Sequence, residues 1–161
     1  MRVRTAVALL PVLAVALALT GCSDSGTTQP EQQGGQEPQG GQMTALIDGA
    51  GFSSDFITII RQPGIIAVNG ADFQMRAIGF QIPDTGTGTF TLGAAEPVGA
   101  GLDIGDSSWG AGGGTGSGSI TVTSRTEARM TGTFSFVVEG LTDGAAPASR
   151  SITNGQFDVE L

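Results

Sequence analysis

Phe134, Phe136 and Val138 alternate with Thr133, Ser135 and Glu139, and this two-residue period restricts what the chain can become more than any other feature. Successive side chains of an extended segment point to opposite faces, so the pattern gives a strand one apolar and one polar face. Phe157, Val159 and Leu161 repeat it against Gln156, Asp158 and Glu160. Ile120 and Val122 repeat it against Ser119, Thr121 and Thr123. One window, Phe52, Phe56, Ile59 and Ile60, has helical spacing, but the run Ile57-Thr58-Ile59-Ile60 inside it is β-branched and favours a strand.

Turn chemistry separates the runs. Gln62-Pro63-Gly64 lies between apolar segments at 56–61 and 65–68 and predicts a hairpin. Asn69-Gly70 follows and predicts a second turn, leading into a strand over 73–82. In that strand the apolar phase shifts, from Phe73, Met75 and Ala77 to Ile78, Phe80 and Ile82. Either a bulge near Ala77-Ile78 or a strand buried on both faces accounts for the shift. Further strands are expected around 43–47, 87–92, 98–104, 118–124, 129–139 and 149–161. Two Gly-Thr-Phe segments, at 88–90 and 132–134, read as strand entries, because their surroundings do not match as a duplication would. The expectation is an all-β domain over 43–161, an antiparallel β-sandwich or lipocalin-like barrel of about 8–10 strands.

Residues 1–42 follow a different logic. Arg2 and Arg4 precede an apolar run from Ala6 to Leu19, interrupted only by Pro11. A spanning helix needs about 20 apolar residues, so a basic start with this shorter run reads as an export signal. The run closes on Leu19-Thr20-Gly21-Cys22, which resembles the bacterial lipobox. That resemblance implies cleavage after residue 21 and acylation of Cys22. Cys22 is the only cysteine of the chain, so no disulfide can form within it. Residues 23–42 contain no aliphatic or aromatic side chain and read as a disordered Gly/Gln-rich tether with a reach of about 25 Å. The domains expected are therefore a lipoprotein signal at 1–21, a lipidated cysteine and linker at 22–42, and the β domain. Ser23 after the cysteine tilts the expected location in the cell envelope toward the outer membrane, by resemblance to the sorting rule of enterobacterial lipoproteins.

The β domain also resembles a family. Its opening Ala45-Leu46-Ile47-Asp48-Gly49, the segments Gly88-Thr89-Phe90-Thr91-Leu92-Gly93 and Gly118-Ser119-Ile120-Thr121-Val122-Thr123, the later Gly132-Thr133-Phe134-Ser135-Phe136 and the ending Ile152-Thr153-Asn154-Gly155-Gln156-Phe157 are similar to short bacterial lipoproteins classed as a domain of unknown function. The resemblance implies an exported, lipid-anchored β domain and carries no activity. Phe52 stands where many relatives would have Trp, and the Gly-rich stretch 110–118 looks longer than usual.

Little catalytic chemistry is available. The chain has no His, no Tyr and no Lys, which removes the usual nucleophile–base pairs. Zinc and copper sites lean on His and Cys, and the one Cys is the expected lipidation site. Residues 110–118 lack the Lys of a phosphate loop and lead toward a strand, so a flexible surface loop is expected there. No enzyme activity and no cofactor are expected. Asp103 and Asp106 are candidate calcium ligands, without the full calcium-loop pattern. Trp109, the only Trp, is a candidate ligand contact or the plug at one end of the sandwich. With the signal removed, five Arg stand against 15 acids, a net charge of −10 that would repel nucleic acid. The expected partner is the membrane, through the anchor. The leading expectation is a non-catalytic binding or structural module. The alternatives are an apolar-ligand carrier with a cavity lined by Phe80, Phe134 and Phe136, or carbohydrate or calcium binding at the 103–109 loop.

Overall fold

The structure is a computed structural model that describes residues 40–93, 98–141 and 147–161. Among the described residues the chain forms eleven strands, all paired antiparallel, and no helix. They are β1 (Gly41–Ile47), β2 (Ala50–Ser53), β3 (Phe56–Gln62), β4 (Ile65–Ala71), β5 (Arg76–Pro83), β6 (Gly88–Leu92), β7 (Gly99–Ile104), β8 (Ser107–Ala111), β9 (Ser117–Arg125), β10 (Arg129–Gly140) and β11 (Ser149–Glu160). Every strand expected from the sequence is present. Two short ones, β2 and β8, are additional. The proposed signal, Cys22 and most of the tether lie outside the described residues.

The strands form one sheet in the order β2-β1-β11-β10-β8-β7-β5-β4-β3, with β9 and β6 branching from β10. β10 makes the branch because it is long enough to serve two neighbours on one side. Its residues Met130 to Val137 pair with β9, and Glu139 and Gly140 pair with β8. The sheet curls so that Phe80 of β5 meets Phe134 of β10 and Phe157 of β11, at ring-centroid distances of 5.7 and 5.1 Å. Where the curl brings β1 near β4, the Ser54 N–H donates to the Met43 carbonyl and the Asp55 N–H to the Ala71 carbonyl, both at 2.8 Å.

Alternation builds the core. Met130, Phe134, Phe136 and Val138 of β10 point inward, as do Ile78, Phe80 and Ile82 of β5 and Ile66 and Val68 of β4. Each such side chain contributes about 1.5–3 kcal/mol by leaving water. In β11 the inward set jumps from Ile152 to Phe157, an odd step for a strand. A bulge absorbs it: the β10–β11 register shifts between Phe134 and Phe136, with Asn154 opposite in the left-handed region at φ 53°.

Four expectations need correction. Asn69-Gly70 is no turn, because both residues lie inside β4. A Cβ on Gly70 would sit 3.0 Å from Met43 Sδ and 3.1 Å from Ser54 Cβ, so this glycine lets β1 and the end of β2 pass close. β5 contains no bulge and is not buried on both faces. Its registers with β4 and β7 are unbroken, and the apolar phase shifts because Phe73 and Met75 belong to the preceding turn. The strand-entry reading holds for Gly88, which opens β6, but Gly132 lies within β10. The 110–118 stretch is not one loop. Gly110 and Ala111 end β8, Ser117 and Gly118 open β9, and Gly112 and Thr115 between them exchange backbone hydrogen bonds of 2.8 and 3.2 Å.

Candidate functional site

The residues singled out around 103–109 occupy the β7–β8 hairpin. Ile104 pairs with Ser107, leaving Gly105-Asp106 as a two-residue loop with Gly105 at φ 56°, as a type II′ turn requires. Asp106 is exposed in that turn. Asp103 is exposed on β7, where its carboxylate accepts the Ser108 hydroxyl at 2.5 Å. Among the described residues, no three His, Cys, Asp or Glu side chains gather as metal ligands would. Trp109 points the other way, into the core, and leaves 2% of its surface to solvent. Its Nε1–H donates to the Pro147 carbonyl at 2.8 Å, and the Arg150 guanidinium lies over the ring at 4.6 Å. Arg150 is held there by Asp48, whose Oδ2 accepts from its Nη1 at 2.8 Å. The hairpin therefore separates the three residues: two carboxylates face water and the indole plugs the interior. The phenylalanines proposed for a carrier pack on one another in the interior. Phe134 stacks on Phe136 at 5.5 Å and Phe80 packs on Phe134, so the rings fill the space between them.

The curl leaves a different constellation on the outer face. Thr89 of β6 pairs with Thr121 of β9, which pairs with Thr133 of β10, which pairs with Gln156 of β11, then Thr44 of β1 and Ser53 of β2. At the usual strand spacing, this row of hydroxyl and carboxamide groups crosses about 24 Å of the sheet. A second row runs parallel to it through Thr91, Ser119 and Ser135. Thr123 and Thr131 begin a third, their hydroxyls 3.3 Å apart. The two Gly-Thr-Phe segments thus flank β9 in the same register, and each places its Thr in the row and its Phe on the inner side.

The rows line a trough of about 710 Å³ whose walls include Ser119, Thr121, Thr133, Ser135, Thr153 and Gln156. A second hollow of about 340 Å³ shares Thr133 and Gln156 and continues past Thr44 and Thr131 to Asp158. Asp158 is the one charged wall residue. Arg129 neutralises it through two hydrogen bonds of 2.6 Å, and those bonds hold the Asp158 carboxyl below its ordinary pKa. The outer face of the other half is chemically distinct. There Ala67, Gln81 and Gly99 form one row, and Asn69, Gly79 and Gly101 the next. Threonine favours exposed strand positions in general. Its concentration on one outer face and not the other is a property of this molecule.

Compared with known families, residues 40–158 match the model of a domain of unknown function, DUF6252. The chain belongs to that family. The match begins one residue before β1 and ends within β11, so the DUF6252 domain and the folded sheet coincide. A comparison with curated proteins finds no match. The DUF6252 family assigns no activity, and the reading of its surface rests on the geometry alone.

The trough was hidden from sequence reasoning. Thr-x-Thr occurs visibly at 89–91, 121–123 and 131–133. Nothing in one sequence says that β6, β9 and β10 are neighbours or that their threonines share a register.

Proposed function

We propose that this chain is a lipid-anchored, non-catalytic module of the cell envelope that binds a neutral polyhydroxylated ligand, a glycan chain, in the trough on its outer face. Cys22 and the signal pattern before it support the anchor. The row from Thr89 to Ser53 supports the binding site. Its hydroxyls donate and accept, and the Gln156 carboxamide offers one acceptor and two donors, a set that matches paired sugar hydroxyls. A charged ligand would find no free counter-charge there, because Asp158 is already paired with Arg129. The location proposed is the outer membrane.

Binding is tested by isothermal titration of the mature chain with neutral polysaccharides and their oligomers. Changing Thr133→Val together with Gln156→Leu removes polar groups from exposed positions and leaves the inner face intact. Two lost hydrogen bonds weaken binding by about tenfold or more. Equal affinity in wild type and the double variant, or no heat with any neutral glycan, overturns the assignment. For the anchor, radiolabelled palmitate enters the wild-type protein and not Cys22→Ser. Equal labelling defeats it.

A further inference from the structure

Phe73 and Met75 are 77% and 75% exposed, on a turn that the trough does not involve. Exposed apolar side chains at a loop tip usually accompany a loose backbone. Here the backbone is tied at every step. The Asp72 carboxylate accepts the N–H groups of Gln74 and Arg76 at 2.9 and 3.0 Å, and the Arg76 Nε at 2.7 Å. Asp55 accepts the Phe73 N–H at 2.9 Å, and the Met75 carbonyl accepts the Gly105 N–H at 2.9 Å. Met75 is held at φ 58°, a left-handed conformation that a side-chain-bearing residue enters at a cost. Phe56 meets Phe73 edge-on at 4.8 Å and props the ring outward. The fold thus uses strain and charged hydrogen bonds to display two apolar side chains.

The place of this turn says what covers it. Met43, near the start of β1, bonds through its N–H to Ser54 Oγ and through its carbonyl to the Ser54 N–H, each at 2.8 Å. Asp55 is the next residue, and it holds Phe73. The chain preceding β1 therefore joins the domain beside the Phe73–Met75 tip. Residues 23–40 separate Cys22 from β1, and as the Gly/Gln-rich tether that their composition predicts they would reach about 24 Å. On the anchored reading, a lipid at Cys22 would keep this end of the domain within that reach of the bilayer. With the part-exposed Phe56 beside Phe73, the tip offers three apolar side chains, far short of the roughly 800 Å² per partner that a stable protein interface buries. A fluid lipid surface needs no complementary shape.

We infer that the Phe73–Met75 turn is a second, non-covalent membrane contact that inserts into the headgroup–acyl boundary when the lipid anchor holds the domain at the surface. This rests on the anchored reading above. Asp55 and Asp106 near the tip, and the net charge of −10 for the chain after its signal, disfavour anionic lipid. The contact is apolar, insensitive to salt, and made with zwitterionic lipid.

The test places nitrobenzoxadiazole on Gln74→Cys in the acylated protein, reconstituted in phosphatidylcholine vesicles with and without doxyl-labelled lipid. The expected result is a blue-shifted emission quenched by the doxyl lipid, while the same label on Thr115→Cys in the β8–β9 turn stays water-like. Phe73→Ser with Met75→Ser, both at exposed positions, removes the shift and leaves thermal unfolding unchanged. An unshifted, unquenched label on vesicle-bound protein overturns the inference. A shift that needs no lipid and grows with protein concentration also overturns it and assigns the tip to a second copy. The non-acylated Cys22→Ser chain with the same label, titrated with the same vesicles, separates the two readings. If wild type takes up no palmitate, the anchor fails, and this arm alone decides whether Phe73 and Met75 enter lipid.

Discussion

Gly155 lies directly opposite Phe134 in the β10–β11 ladder, and a Cβ placed on it would overlap the Phe134 ring. The aromatic ring covers the backbone that the glycine leaves bare, on the inner side of the sheet. Gly155→Ala therefore forces Phe134 off its contacts with Phe80 and Phe157, at a cost of about 1–3 kcal/mol. In a Phe134→Leu background the alanine has room, so the two substitutions cost less together than the sum of their separate effects. Urea unfolding of the four proteins measures that coupling. Strict additivity would show that the glycine serves some other purpose. Gly155 and Phe134 stand immediately beside Gln156 and Thr133, so the packing of this pair sets the height of the trough floor.

At the scale of the element, the Asp72 carboxylate makes three of the hydrogen bonds that shape the turn from Asp72 to Arg76. Burial alone would raise the Asp72 pKa, but hydrogen bonds from the Arg76 N–H, the Arg76 guanidinium and the Gln74 N–H outweigh it and hold the carboxyl below its ordinary value. A carboxyl depressed in the folded state adds stability above its unfolded value, and this is lost as pH falls through the folded value. The wild type thus loses this contribution below about pH 4, whereas Asp72→Asn has already lost it. Near neutrality Asp72→Asn is less stable by about 1–2 kcal/mol, and the gap narrows toward pH 2. Thermal unfolding across that range checks the sign, and a gap that widens in acid refutes it. This turn was also where sequence reasoning failed. Asn69-Gly70 carries a strong turn signal, yet the chain continues extended for Gly70 to slip past Met43 and reverses at Asp72 instead. Local signals find strands whose periodicity is strong, as in β9, β10 and β11, and they find β3 through its β-branched run. They miss β8, whose Ser107-Ser108-Trp109-Gly110-Ala111 has little apolar content. β2 had a usable signal in Asp48-Gly49, both at positive φ between Ile47 and Ala50, as a type I′ hairpin needs. The trough is a matter of register between strands distant in sequence, and no local pattern encodes it.

At the scale of the molecule, the question is whether the curled sheet encloses a usable cavity or a filled core. Phe80 decides it. Its ring reaches across the interior from β5 to Phe134 and Phe157, and only 3% of its surface is exposed. A carrier would keep that space open and let a ligand replace these ring contacts. Here the side chains supply the contacts themselves, so an apolar ligand has nothing to gain by entering. Fatty acids or small aromatics should leave the thermal unfolding of the wild type unchanged. Phe80→Ala should lower stability by about 3–5 kcal/mol and leave an apolar void between the two halves. Such voids stay dry and accept benzene-sized molecules. Saturating benzene should thus raise the unfolding temperature of Phe80→Ala and not that of the wild type. A stabilised wild type would mean that the rings part readily and that the interior works as a pocket. The absence of a response would leave the outer face and the Phe73–Met75 tip as the surfaces through which this domain meets its surroundings.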